Sequence, residues 1–171
     1  VKNTQNSGDR KLEQIIQSFE SGTFLDESLT VECKSSYGIK NEQKNMSTKD
    51  STDVVFREIS SMMNTEGGYL FVGIENDTWN VLGIDDEIES RKSRDKFLGE
   101  VYSHLKHNIG KIYGSYVTCE LKPISGKQVM VFSVKPSRNS KVWSKPRGAH
   151  FKRDAFDDDY GCLYVRTDDN A

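Results

Sequence analysis

Between the paired glycines Gly67-Gly68 and the polar turn Glu75-Asn76-Asp77 runs Tyr69-Leu70-Phe71-Val72-Gly73-Ile74, an apolar and aromatic stretch. Side chains of a strand point alternately to opposite faces, so a run without polar alternation belongs to a strand buried on both sides. Such a strand lies inside a sheet, and the remaining chain must supply its neighbours. Trp79 to Gly83 reads as its hairpin partner. Tyr116 to Leu121 and Gln128 to Val134 flank Pro123-Ile124-Ser125-Gly126, whose residues favour a turn, and read as a second hairpin. Leu29 to Lys34 alternates, with Leu29, Val31 and Cys33 on one face and Thr30, Glu32 and Lys34 on the other, as a half-buried strand requires. A last short strand is expected over Cys162 to Arg166.

Helical spacing fills the gaps. Leu12, Ile15, Ile16 and Phe19 predict a short amphipathic helix from Asp9 to Ser21, stopped by Gly22. Ser51 or Thr52 is placed to cap a helix with the stripe Val54, Val55, Ile59, Met62 and Met63, ending near Asn64 and Gly67. Phe97, Leu98, Val101, Tyr102, Leu105 and Ile109 mark a longer helix from about Ser93 to Asn108. Ser35 to Asp50 is polar and lysine-rich and reads as a loop. These elements make an α+β architecture, helices packed against a mostly antiparallel sheet. At 171 residues one domain, 1–171, is expected.

No apolar run approaches the roughly 20 residues that span a bilayer, and the first ten residues are polar, so the chain reads as cytoplasmic with no membrane association. It begins with Val1 rather than methionine and is expected to be trimmed or excised from something longer. Cys33, Cys119 and Cys162 are odd in number and widely spaced, which favours reduced core thiols over zinc ligation or redox work.

Net charge is -2, which argues against a polyanion binder that is basic throughout. The charge is unevenly distributed, however. From Lys135 to Arg153 seven basic residues occur without an acid, interleaved with Trp143, His150 and Phe151. That combination supplies charges for phosphates and rings for stacking on bases, and Lys141, Lys145, Arg147, Lys152 and Arg153 are the expected nucleic-acid contacts.

Glu32 and Lys34, two apart on one strand, leave the same face, and Glu27 lies just upstream. An acid-x-Lys pair is a nuclease device: carboxylates hold Mg²⁺ or Mn²⁺, the ion polarises a phosphate, and the lysine offsets developing charge. A third acid is available at the strand end, as Glu75 or Asp77. The competing reading is an ordinary solvated ion pair on an exposed strand face. Gly67-Gly68 is read as a helix C-cap and tight turn rather than a phosphate loop, since no Gly-Lys-Ser/Thr follows. His104 and His107 read as part of a polar helix face.

Several stretches resemble one family. Glu27-Ser28-Leu29-Thr30-Val31-Glu32-Cys33-Lys34 is similar to the Glu-Ser-x-x-x-Glu-Phe-Lys opening of the Schlafen AlbA_2 domain. Ile59 to Ile74, with Asn64-Thr65-Glu66-Gly67-Gly68 at its centre, resembles that family's signature block. Trp79 to Gly83 matches its return strand, and Leu163 to Thr167 its closing segment. The motif-matched core is 27–167, and 1–26 is an N-terminal helix extension. The resemblance implies nucleic-acid binding, in bacterial members often within transcription regulators. In animal members it implies a metal-dependent endoribonuclease acting on structured RNA such as tRNA. By that resemblance the catalytic and metal-holding acids are Glu27, Glu32 and Glu75, supported by Lys34, with Mg²⁺ or Mn²⁺ as cofactor and no zinc site. RNA is favoured over DNA, and a homodimer would rebuild the two-lobed cleft of the animal proteins. A non-catalytic DNA- or RNA-binding module is the alternative.

Overall fold

The structure is a computed structural model that describes residues 7–24, 28–38, 48–110, 115–138, 142–144 and 162–163. In chain order it comprises α1 (Ser7–Glu20), β1 (Val31–Lys34), α2 (Thr48–Asn64), β2 (Gly68–Val72), α3 (Asp85–Ser90), α4 (Arg94–Asn108), β3 (Val117–Ile124), β4 (Lys127–Val134), β5 (Trp143–Ser144) and β6 (Cys162–Leu163). Four strands form one sheet in the order β1-β2-β4-β3, and β5 pairs with β6 in a second. Only the β1–β2 pairing is parallel, with Glu32 opposite Leu70 and Lys34 opposite Val72. The other pairings are antiparallel, so the sheet is mixed and mostly antiparallel, as expected.

The apolar run lies in β2, between β1 and β4, and both its faces are buried. Leu70 and Val72 meet Val55, Phe56, Ile59, Met62 and Met63 of α2 and Phe97, Val101 and Leu105 of α4. Phe71 faces the other way, into Ile16 and Phe19 of α1, Val31 and Cys33 of β1, and Val129 and Val131 of β4. The two-residue period of the strands thus sorts one sheet into two apolar layers, each closed by a helix stripe of 3.6-residue period.

Several boundaries move. Helix α2 starts at Thr48, so Ser51 and Thr52 are not its caps; the Thr52 hydroxyl donates to the Tyr37 carbonyl at 3.3 Å. The expected Trp79–Gly83 strand reduces to one bridge, Ile74 with Val81. Pro123 and Ile124 belong to β3, and the hairpin turns on Ser125-Gly126. Pro123 is tolerated because β3 is an edge strand. Helix α3, missed in the acidic Asp85-Asp86-Glu87 stretch, buries Glu87 and Ile88. Ser93 caps α4, its hydroxyl accepting the Lys96 N–H at 3.1 Å.

Gly67 and Gly68 are explained by packing. Both lie at positive φ, 76° and 145°. A Cβ on Gly67 would lie 2.4 Å from the Val134 carbonyl oxygen, and one on Gly68 2.2 Å from that of Thr30. The pair lets β2 start flush between its two neighbours while the Gly67 N–H caps α2 on the Met62 carbonyl at 2.9 Å.

Candidate nucleic-acid interface

Strand β1 sits at the sheet edge, and its two faces differ chemically. Val31 and Cys33 enter the α1 layer, whereas Glu32 and Lys34 point to the α2 side. There they do not form the solvated pair that strand alternation allows. Glu32 is only 6% exposed, its carboxylate is in direct contact with the Lys34 ammonium, and Glu58 of α2 brings a second carboxylate to 3.9 Å from that ammonium. The exposed-face expectation is therefore corrected: α2 covers this face, and two carboxylates bracket one ammonium under its edge. Glu58 was not legible in the sequence, because nothing in a helical stripe tells which strand residue it will meet.

β1 and β2 run parallel, so their carboxyl ends share one end of the sheet, where open α/β sheets commonly place sites. The Lys34 carbonyl accepts from Gly73 N–H at 2.7 Å and Ile74 N–H at 3.2 Å, which brings Glu75 to that end. The Glu75 carboxylate, however, is engaged in its own turn, accepting from the Thr78 hydroxyl and from Asn80 Nδ2 at 3.4 Å. Asp77 is exposed in the same turn. Glu27 lies outside the described residues. Among the described residues no three His, Cys, Asp or Glu side chains gather to hold a metal ion. The described donors do not fit a divalent cation as they stand: the two carboxylates there, Glu32 and Glu58, bracket the Lys34 ammonium, which occupies the cation position between them.

A buried polar network leads away from β1. Tyr37 is 1% exposed and packs edge-on against Phe56 and Phe97. Its hydroxyl shares a 2.9 Å hydrogen bond with His104 Nδ1, so His104 is more than part of a polar helix face. The Glu87 carboxylate accepts both the Tyr37 and Gly38 N–H groups, at 2.9 and 3.0 Å. Burial pushes the Glu87 carboxyl above its usual range, although those two N–H groups and Arg91 oppose the shift. The Cys33 and Cys119 side chains are buried, and burial pushes the Cys119 thiol up to about 12.

The basic stretch begins at the end of β4. Lys135 and Arg138 are exposed, and between them Ser137 N–H donates to the Met63 carbonyl at 2.7 Å. Lys141, Lys145, Arg147, Lys152 and Arg153 lie outside the described residues. Between α1 and the sheet a cleft of about 500 Å³ is lined by Lys11, Lys122 and Lys135 together with Asp9, Glu13, Glu66 and Glu120. Its mixed charge gives no preference for a phosphate. No described helix is long and apolar enough to cross a membrane.

Comparison with known proteins adds the following. The family model described as Schlafen, AlbA_2 matches residues 27–170. Among solved structures, the chain is similar to the DIP2311 protein from Corynebacterium diphtheriae, with 20% identity and a TM-score of 0.52 over 79% of this chain. The match covers 26% of that protein, so the chain spans about a quarter of its length. It is also similar to the N-terminal domain of a RecG-related protein from Nitrosomonas europaea, with 17% identity and a TM-score of 0.45, covering 90% of this chain and 86% of that one. Curated proteins returned no match.

Proposed function

The chain belongs to the Schlafen AlbA_2 family, and from that premise we propose that it is a nucleic-acid-binding domain with RNA as its preferred ligand. The observation that carries this reading is the acid-free run of seven cations that leaves the end of β4, with Lys135 and Arg138 exposed at its start. An otherwise acidic chain that gathers positive charge in one stretch has a local rather than general affinity for polyanions. Lys141, Lys145, Arg147, Lys152 and Arg153 are the proposed phosphate contacts. Each contact contributes about 0.7 to the log–log salt slope on single strands and about 0.9 on duplex DNA. Replacing all five by alanine is expected to flatten that slope by about 3.5 on single-stranded RNA; an unchanged slope refutes the assignment.

The second reading is metal-dependent endoribonuclease activity on structured RNA such as tRNA. It is supported by the covered Glu32–Lys34 pair at the carboxyl end of β1, a placement that an ordinary surface ion pair does not have. Glu27, Glu32 and Glu75 are its proposed metal ligands for Mg²⁺ or Mn²⁺, and Lys34 its proposed phosphate partner. Because the described donors are not a metal site, no catalytic step is assigned. Incubation of labelled tRNA and DNA with and without Mn²⁺ separates the readings: Mn²⁺-dependent fragments abolished by Glu32→Gln support cleavage, and binding without fragments supports the module. The same proposal takes the protein as a cytoplasmic homodimer, since a second copy supplies the other wall of a cleft. Light scattering should then give twice 19.4 kDa.

A further inference from the structure

Asn64 ends α2, and its side chain turns away from the helix to the chain 78 residues later. Its Nδ2 donates to the Val142 carbonyl at 2.8 Å, and its Oδ1 accepts the Val142 N–H at 2.7 Å. A carboxamide carries the donor and acceptor of a peptide group, so this side chain acts as one rung of a β-ladder for a residue entering β5. Val142 is fully buried in the α2 layer, so both its peptide groups need partners inside the protein. Aspartate offers no donor, and alanine offers neither group. Five residues before Val142, the Ser137 N–H is tied to the carbonyl of Met63, the neighbour of Asn64 in α2. The last turn of α2 therefore holds the basic stretch at two points, with the exposed Arg138 between them.

We infer that Asn64 is a positioning residue for polyanion binding: its two hydrogen bonds to Val142 fix the course of the segment that presents Arg138, without Asn64 touching the ligand. This rests on the nucleic-acid reading above but assigns Asn64 a role that neither the family signature nor the charge pattern assigns.

The test compares Asn64→Ala, Asn64→Asp and the double variant Lys135→Ala/Arg138→Ala. Each is titrated with a labelled single-stranded RNA across a salt series and digested briefly with trypsin. Asn64→Ala should lower the salt slope by at least one contact, about 0.7, which is about fourfold weaker binding at 0.15 M salt. Tryptic cleavage after Arg138 or Lys141 should accelerate at least tenfold. Asn64→Asp, which keeps the acceptor for the Val142 N–H, should fall between parent and alanine variant. A lower folded fraction reduces the binding-competent amount but leaves the slope unchanged, so the slope isolates positioning from stability. Unchanged cleavage overturns the clamp. Faster cleavage with an unchanged slope overturns the positioning role if the double variant does lose slope, and leaves the nucleic-acid reading standing. If neither variant moves the slope, Arg138 makes no phosphate contact and the inference fails, while the nucleic-acid reading is decided separately by the five-alanine variant.

Discussion

Gly68→Ala is expected to destabilise the protein severely, for reasons that can be worked from two backbone atoms of Thr30. The new methyl group would lie 2.2 Å from the Thr30 carbonyl oxygen and 2.7 Å from its carbonyl carbon, both backbone atoms that no rotamer change can move. Relief requires β1 and β2 to part by about 1 Å, since real Cβ contacts lie beyond 3.0 Å. The Tyr69 N–H to Thr30 carbonyl hydrogen bond, 2.8 Å in the parent, would then be lost, at about 0.5–1.5 kcal/mol. Holding a side chain at φ of 145° adds about 1–3 kcal/mol. The sum is about 2–4 kcal/mol, or a fall in Tm of roughly 5–15 °C for a domain of this size. Gly99→Ala is the control: the site lies inside α4 with nothing within 4 Å, so the same chemical change should stabilise by about 0.5–1 kcal/mol. Urea and thermal unfolding of both variants check the pair of signs. A Gly68→Ala protein within about 1 kcal/mol of the parent would falsify the close-approach argument for the glycine pair.

Lys34→Met leaves the Glu32 carboxylate under α2 without its ammonium and beside Glu58; because Lys34 retains some exposure, a loss of about 2–4 kcal/mol is expected. The double variant Glu32→Gln/Lys34→Met should recover most of it, and additive losses in the double-mutant cycle would show that the pair is not coupled. For Glu87 the folded carboxyl titrates above its unfolded value of 4.5. Its contribution to stability is therefore full below pH 4.5 and is lost as pH rises through the raised folded value. Relative to Glu87→Gln, the parent should lose stability from pH 4 upward in urea titrations, and a difference that stays flat or reverses with pH contradicts the assigned burial.

How far the sequence reaches is clear from particular elements. β2 was legible because an uninterrupted apolar run has no solvated face available to it, and α1, α2 and α4 because their stripes repeat at helical spacing. The acid-lysine pair was legible as a pair, since two residues two apart on any strand share a face. What the local pattern could not contain was the other side of each contact. Alternation made Glu32 and Lys34 look solvated; the packing of α2 across the edge strand covered them and supplied Glu58. The Trp79–Gly83 stretch has strand-like composition and turns back on the end of β2, with the Ile74–Val81 bridge flanked by the Glu75 N–H to Asn80 and Leu82 N–H to Gly73 carbonyl hydrogen bonds, yet it does not extend into a full strand. Asp85-Asp86-Glu87 looks like a surface acid cluster, yet the backbone of Tyr37 and Gly38 draws Glu87 inside. Asn64 reads as a helix end, and its partner is 78 residues away. Periodicity is a property of neighbours along the chain and so determines which elements form. Which buried polar group answers which depends on how those elements stack, and that is decided only when the layers close and each group left without water must find its partner.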